Sequence, residues 1–165
     1  MKGGDASMEI ISRDGIKKLL ESIPPSTVYI GSDSIRKGRK IIFCTVVVVH
    51  IANARGAKIF YHCEREPAKA KKRNDINEMI YRLTKEVDMT IRVCDSIKDI
   101  LEAHPEHKLE IHVDVNPSEN YRSHMIYDYA LGYVKGYLGI TPKFKPDAFA
   151  ASVAADGIIR GKNER

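Results

Sequence analysis

Cysteine is scarce, and the three that occur, Cys44, Cys63 and Cys94, show no CxxC or CxxxC spacing. That excludes a zinc ribbon or a thiol redox motif and predicts three small core residues, neither ligands nor bridges, as suits a reducing cytoplasm. Long apolar runs are also missing. The longest, around residues 45–50, falls far short of the ~20 residues that a bilayer crossing needs, and no apolar leader opens the chain. A cytoplasmic protein without membrane contact is expected. No internal repeat, low-complexity tract or interior linker is present, so no repeat array is expected. His104-Pro-Glu-His107 has a metal-like spacing, but its proline and the lack of a further nearby ligand argue against zinc.

What is there is 165 residues, 43% hydrophobic and 30% charged, a composition that builds a core without disulfides or metal. One domain is expected over residues 27–165, preceded by a flexible opening and a short helix in residues 1–26. The net charge of +5 and the pI near 9.0 favour an anionic partner. The surplus is concentrated: Arg36, Lys37, Arg39 and Lys40 fall in one turn, and Lys69, Lys71, Lys72 and Arg73 in another. Either cluster reads equally as a phosphate contact or as a solvated loop.

The elements follow from periodicity. Residues 12–23 form a helix stopped by Pro24-Pro25. Val28 and Ile30 share one face of a strand, with Tyr29, Gly31 and Asp33 on the other and Asp33 at its end. The β-branched run Val46 to Val49 predicts a central strand buried on both faces, and residues 57–63 its hairpin partner. Apolar residues at gaps of three or four from Ile76 to Leu101 predict one long amphipathic helix. Residues 108–115 alternate as a strand that ends near Asp114. Ser118 caps a helix reaching Leu138, residues 140–144 form a strand, and Pro146 opens a last helix through Ile159. The order is β-β-β-α-β-α-β-α. Tyr129, Tyr133 and Tyr137 make a stripe on the helix reaching Leu138 that could stack on bases, although such stripes usually pack against a sheet, and Gly132 and Gly136 beside them favour close packing.

Several carboxylates at strand and helix ends can converge on one crevice, where they repel unless cations neutralise them. Hard oxygen ligands suit Mg²⁺ or Mn²⁺, and two ions ~4 Å apart support phosphodiester hydrolysis. Helical phase chooses among candidates. With the apolar stripe centred on Ile76 and Cys94, Glu86 lies about 80° from it and Glu78 about 160°. Glu86 is therefore preferred and Glu78, read as solvent-facing, is the alternate. Asp147 and Asp156 are nine residues apart, on opposite sides of the last helix. Asp147, in its first turn, is preferred because the helix dipole favours an anion there, and Asp156 is left a supporting contact. Lys145 is a candidate phosphate contact. His112, on the strand face of Asp114, is a candidate for proton transfer or metal entry, although a structural histidine is the commoner case.

These residues resemble the YkuK-type family of predicted ribonuclease-H-related nucleases, and more distantly ribonuclease H and the Holliday-junction resolvases. The carriers are Tyr29-Ile-Gly-Ser-Asp-Ser34, Lys58-Ile-Phe-Tyr61, Leu83-Thr-Lys-Glu-Val87, Leu109-Glu-Ile-His-Val-Asp114 and Lys145-Pro-Asp-Ala-Phe-Ala-Ala-Ser-Val-Ala-Ala-Asp156. The last is the most specific. The resemblance implies a ribonuclease-H-like α/β fold, a mixed five-stranded sheet with helices on both faces. It implies Asp33, Glu86, Asp114 and Asp147 as the metal-binding, catalytic set, with water as nucleophile. This sequence departs from a typical member after Asp114, where Val115-Asn-Pro-Ser118 replaces a glycine-containing turn. The expected activity is a metal-dependent endonuclease acting on RNA, an RNA–DNA hybrid or branched DNA. The rivals are a catalytically silent nucleic-acid-binding module and, against its length, an actin-like phosphotransferase.

Overall fold

The computed structural model describes residues 7–52 and 56–161. In chain order the elements are β1 (Ser7–Ile10), α1 (Arg13–Ser22), β2 (Thr27–Lys37), β3 (Lys40–His50), β4 (Ala57–Pro67), α2 (Ile76–Ser96), α3 (Lys98–Ala103), β5 (Lys108–Val113) and α4 (Tyr127–Leu138). A π-helical turn (Ala150–Ala155) then runs into α5 (Asp156–Ile159). The five strands form one sheet in the order β1-β4-β3-β2-β5. β1 runs parallel to β4 and β5 parallel to β2, while β2, β3 and β4 are an antiparallel meander, so the sheet is mixed.

β3 lies at the centre because Val46, Val47, Val48 and Val49 fill both faces and are all buried. On one face Val28, Ile30, Val47, Val49 and Ile111 pack with α1, α2 and α4 through Leu20, Val87, Ile91 and Val134. On the other, Val46, Val48 and Ile59 pack with Ala150 and Ala155 of the C-terminal turn. Helices thus cover both faces.

Four of the five expected strands form, and the fifth place in the sheet is taken differently. Residues 140–144 make only one bridge, His112 to Lys143, because Pro142 has no N–H to extend a ladder. The fifth strand is β1, in a stretch that was expected to precede the body. Residues 1–6 of the expected flexible opening lie outside the described residues. α1 buries Ile16 and Leu20 in the main core, so no boundary falls at residue 26.

The long helix is two: α2 stops at Ile97, whose N–H reaches back to the Cys94 and Asp95 carbonyls, and α3 follows with Ile97 and Ile100 both kept inside. Ser118 caps no helix. Asn116 Oδ1 accepts its N–H at 3.0 Å, an Asx turn, and a 3₁₀ turn (Arg122–Ile126) precedes α4. Pro146, joined to Lys145 by a cis peptide bond, sits in a turn ahead of the last helical segment.

The cysteines are not all free. Cys44 faces Cys63 across β3 and β4 and the two are bonded as a disulfide, while Cys94 is free and buried. The pair escapes motif spacing because its members lie equally far from the β3–β4 connection. The cysteine pattern therefore no longer points to a reducing compartment. No helix of the described residues is long and apolar enough to cross a membrane.

α4 turns Ala130 and Val134 inward, and its tyrosines lie one residue off that stripe, so Tyr129 and Tyr137 are exposed instead of packed on the sheet. A Cβ added at Gly132 or Gly136 would meet nothing within 4 Å, so these glycines serve no close approach. Each lowers helix stability by about 1 kcal/mol relative to alanine. The double variant Gly132→Ala, Gly136→Ala is expected to unfold at a higher denaturant midpoint, worth roughly 1–2 kcal/mol by chemical denaturation.

Candidate functional site

β2 and β5 pair in parallel from Thr27↔Lys108 to Ser32↔Val113. The next register step would set Asp33 beside Asp114, and the ladder opens at that point. Asp33 and Asp114 thus end neighbouring strands, whose backbones lie about 4.8 Å apart, at a half-buried sheet end. Burial first, and then the charge of Asp114, raise the Asp33 pKa to about 7, despite the Ser34 N–H that donates to Asp33 Oδ1 at 2.8 Å.

Glu86 arrives from α2, on the border of its buried face, and is 5% exposed. Burial and the neighbouring Asp33 hold its carboxyl well above the usual range. Its partner is the Ser34 hydroxyl, which donates to Oε1 at 2.5 Å and accepts from Arg82 Nε at 2.7 Å. Arg82 Nη2 also donates to the Ser34 carbonyl. Sequence reasoning missed Ser34 and Arg82. The available signal was that Arg82 lies four residues before Glu86, on the same face of α2.

Glu78 does not face solvent. It is 7% exposed and accepts both Nη1 contacts of Arg36, at 2.9 and 3.0 Å. Arg36, near the end of β2, reaches over the start of α2 and covers what an isolated helix would expose. Glu78 holds Arg36 and has no place among the clustered carboxylates.

The C-terminal pair is placed opposite to its phase assignment. Asp147 is exposed, in the turn where its N–H bonds to the Phe144 carbonyl, two residues ahead of the last helical segment. Its charge acts on His112. Asp156 is half-buried, and its charge adds to those raising Asp33. The phase argument assumed an unbroken α-helix from Pro146, whereas the helical segment begins later and its first turn is π, with a wider step per turn. Arg160 Nε also pairs with Asp156 Oδ1, at 2.5 Å.

The π turn is seated on β2. A Cβ on Gly31 would lie 2.8 Å from the Ala151 nitrogen and 3.1 Å from its Cα, so only glycine lets the turn approach. His112 Nδ1 accepts the Ala150 N–H at 3.1 Å, leaving the ring proton on Nε2, 3.3 Å from Glu110 Oε2. Burial lowers the His112 pKa, and Tyr29 and Phe149 flank its ring. His112 thereby fastens the C-terminal segment. Glu110, whose pKa falls to about 2 against its burial, is bonded by Lys108, Lys143 and His112. His107 is likewise occupied: its Nδ1 accepts the Ser26 N–H and its Nε2 meets the Leu20 carbonyl.

Lys145 Nζ lies 2.9 Å from Asp114 Oδ1. That oxygen is buried and has no aligned hydrogen bond among the described residues. Asp33, Glu86, Asp114 and Asp156 thus form a half-buried acidic crevice in which Asp33 and Glu86 are raised above the usual carboxylate range by burial and by their neighbours' charges. Among the described residues, no three His, Cys, Asp or Glu side chains already converge as a finished cation cage. Asp33 and Glu86 lean on Ser34, and Asp114 on Lys145. The donor set, all carboxylate oxygens, is nevertheless of the kind that a hard divalent cation takes. A cleft of about 820 Å³ lies elsewhere, between α2 and α4 beside Tyr81, Lys85 and Tyr133, and contains none of these carboxylates.

Comparison with curated proteins and with solved structures yields no match. A family model described as Ribonuclease H-like matches residues 14–160, nearly the whole described chain. With its mixed sheet, covered on both faces and opening at Asp33 and Asp114, the chain belongs to the Ribonuclease H-like family.

Proposed function

We propose that the protein is a divalent-metal-dependent nuclease that hydrolyses phosphodiester bonds of RNA, an RNA–DNA hybrid or structured DNA. The observation that carries this is the crevice at the open end of the β2–β5 ladder, where burial and mutual repulsion raise Asp33 and Glu86. Such a cluster is unstable as free anions and is relieved by cations. Asp33, Glu86 and Asp114 would hold Mg²⁺ or Mn²⁺, with Asp156 rather than Asp147 as the fourth carboxylate, since Asp156 is half-buried and among the charges that raise Asp33, whereas Asp147 is exposed in the turn ahead of the helical segment. The ions would supply Lewis-acid stabilisation and a water of lowered pKa.

The chain's own residues do the positioning. Ser34, gripped by Arg82, orients the Glu86 carboxylate. Lys145, against Asp114 at the edge of the crevice, would offer its ammonium to a phosphate oxygen. Gly31 and His112 hold the π turn that presents Asp156.

Labelled single-stranded, duplex, hybrid and junction nucleic acids should be tested with Mg²⁺, Mn²⁺ and chelator. Cleavage of at least one is expected only with metal, and Asp156→Asn is expected to lose far more rate than Asp147→Asn. Binding without cleavage of any substrate would instead indicate a silent module, and equal loss in the two variants would remove Asp156 from the set.

A further inference from the structure

The two basic clusters, separated by about thirty residues of sequence, are one surface. Arg36 joins them: its guanidinium donates to the Gly38 carbonyl in its own turn and to the Ala70 and Lys72 carbonyls across the gap, at 3.1, 2.7 and 2.9 Å. The Ala68 N–H bonds to the Arg39 carbonyl at 2.8 Å and closes the seam. Arg36 is thus consumed as a structural clamp, and Arg39, Lys40, Lys69, Lys71, Lys72 and Arg73 are left exposed around it.

This surface ends in a small cavity of about 140 Å³ lined by Arg73, Arg82 and Arg122 and also by Asn74, Met79 and the acids Asp75 and Glu78. Both acids are already engaged. Asp75 caps α2 by accepting the Glu78 N–H at 3.0 Å, and Glu78 pairs with Arg36. Among the described residues, Arg73 and Arg122 have neither a hydrogen bond nor a carboxylate partner, and both are exposed. Arg82 forms the wall shared with the acidic crevice, since it also grips Ser34.

Size and chemistry narrow the occupant. At about 140 Å³ the cavity is well below a small-molecule pocket, holding the volume of a few waters. No aromatic ring lines it, so it offers no stacking surface for a base. Planar guanidiniums suit a phosphate group.

We propose that this basic surface binds the sugar–phosphate backbone of a nucleic-acid strand, with one phosphate seated between Arg73 and Arg122. The strand passes along Arg82 to the carboxylate crevice, and the exposed lysines of residues 69–72 contact phosphates further out. The proposal rests on the nuclease reading for the nature of the ligand. It places recognition in the backbone, independent of base sequence.

The test is equilibrium binding of a short labelled RNA–DNA hybrid to full-length protein carrying Asp33→Asn, followed by anisotropy from about 50 to about 200 mM salt. Arg73→Gln with Arg122→Gln is expected to weaken binding about tenfold or more and to lower the log–log salt slope by about one, one phosphate contact. Lys18→Gln with Lys98→Gln, which removes the same charge from α1 and α3, should change neither. Equal weakening by both pairs, no weakening by the arginine pair, or displacement of the hybrid by polyglutamate as readily as by unlabelled hybrid would overturn the proposal. Cleavage is measured separately with Asp33 intact. Arginine-dependent binding without cleavage would sink the nuclease reading alone, and cleavage indifferent to both arginines would sink this inference alone.

Discussion

Gly31→Ala is expected to destabilise the protein by ~3 kcal/mol and to lower any cleavage rate by about a hundredfold or more. The added methyl has nowhere to go: its nearest neighbours are the backbone nitrogen and Cα of Ala151, at 2.8 and 3.1 Å, not the end of a flexible side chain. Either β2 or the π turn must move. The turn is fastened at Ala150 by His112 and buries Ala150, Ala151 and Ala155, so displacing it also opens the smaller core cluster. Asp156 follows directly after the turn and would move with it. The contrast with Gly132→Ala is part of the expectation. The same methyl stabilises where it meets open space and destabilises where it meets backbone. Wild-type stability in Gly31→Ala, measured by urea unfolding, would contradict the close approach.

Asp33→Asn is expected to abolish metal-dependent cleavage, by about a thousandfold or more, while making the metal-free protein more stable. The second half follows from the sign of the pKa shift. Asp33 is raised from 3.8 to about 7 by burial and by Asp114. Between those values the folded state holds a proton that the unfolded chain has released. The stabilisation from that proton is complete below the unfolded value and disappears as pH rises through about 7. Metal-free wild type should therefore lose roughly 1 kcal/mol between about pH 6.5 and about pH 8. Asp33→Asn, with no charge to bury, should lose much less. Glu86 contributes in the same direction. His112, whose pKa is lowered by burial, acts oppositely, destabilising the fold as pH falls below its unfolded value of 6.5, so the window above that pH is the informative one. Identical pH profiles for the two proteins would remove the burial of charge at Asp33.

Much of this arrangement was legible in the sequence. Alternation placed Asp33 and Asp114 at strand ends, and the constant register of β2 and β5 is what turns those two ends into neighbours. Helical phase brought Glu86 to the buried border because α2 is regular through that point. It failed for Asp147 and Asp156, where a turn and a π segment replace the assumed α-helix. Glu78 was misread because its phase is set by α2 alone, while its burial comes from Arg36 at the far end of β2. The Cys44–Cys63 bond and the union of the two basic clusters belong to the same class: each depends on which strands and loops meet, which periodicity does not encode. β1 was missed because four residues beside a polar opening carry too little alternation to register as a strand.

The account stands on the acidic crevice being a cation site, and Mn²⁺ titration by calorimetry near pH 7, repeated in buffers of different ionisation enthalpy, tests that without requiring a substrate. Wild type is expected to bind Mn²⁺ with release of protons, because Asp33 and Glu86 must ionise to serve as ligands. Asp33→Asn is expected to bind far more weakly and to release fewer protons. Mn²⁺ binding of equal affinity and equal proton release in the two proteins, or no binding to the wild type, would contradict it.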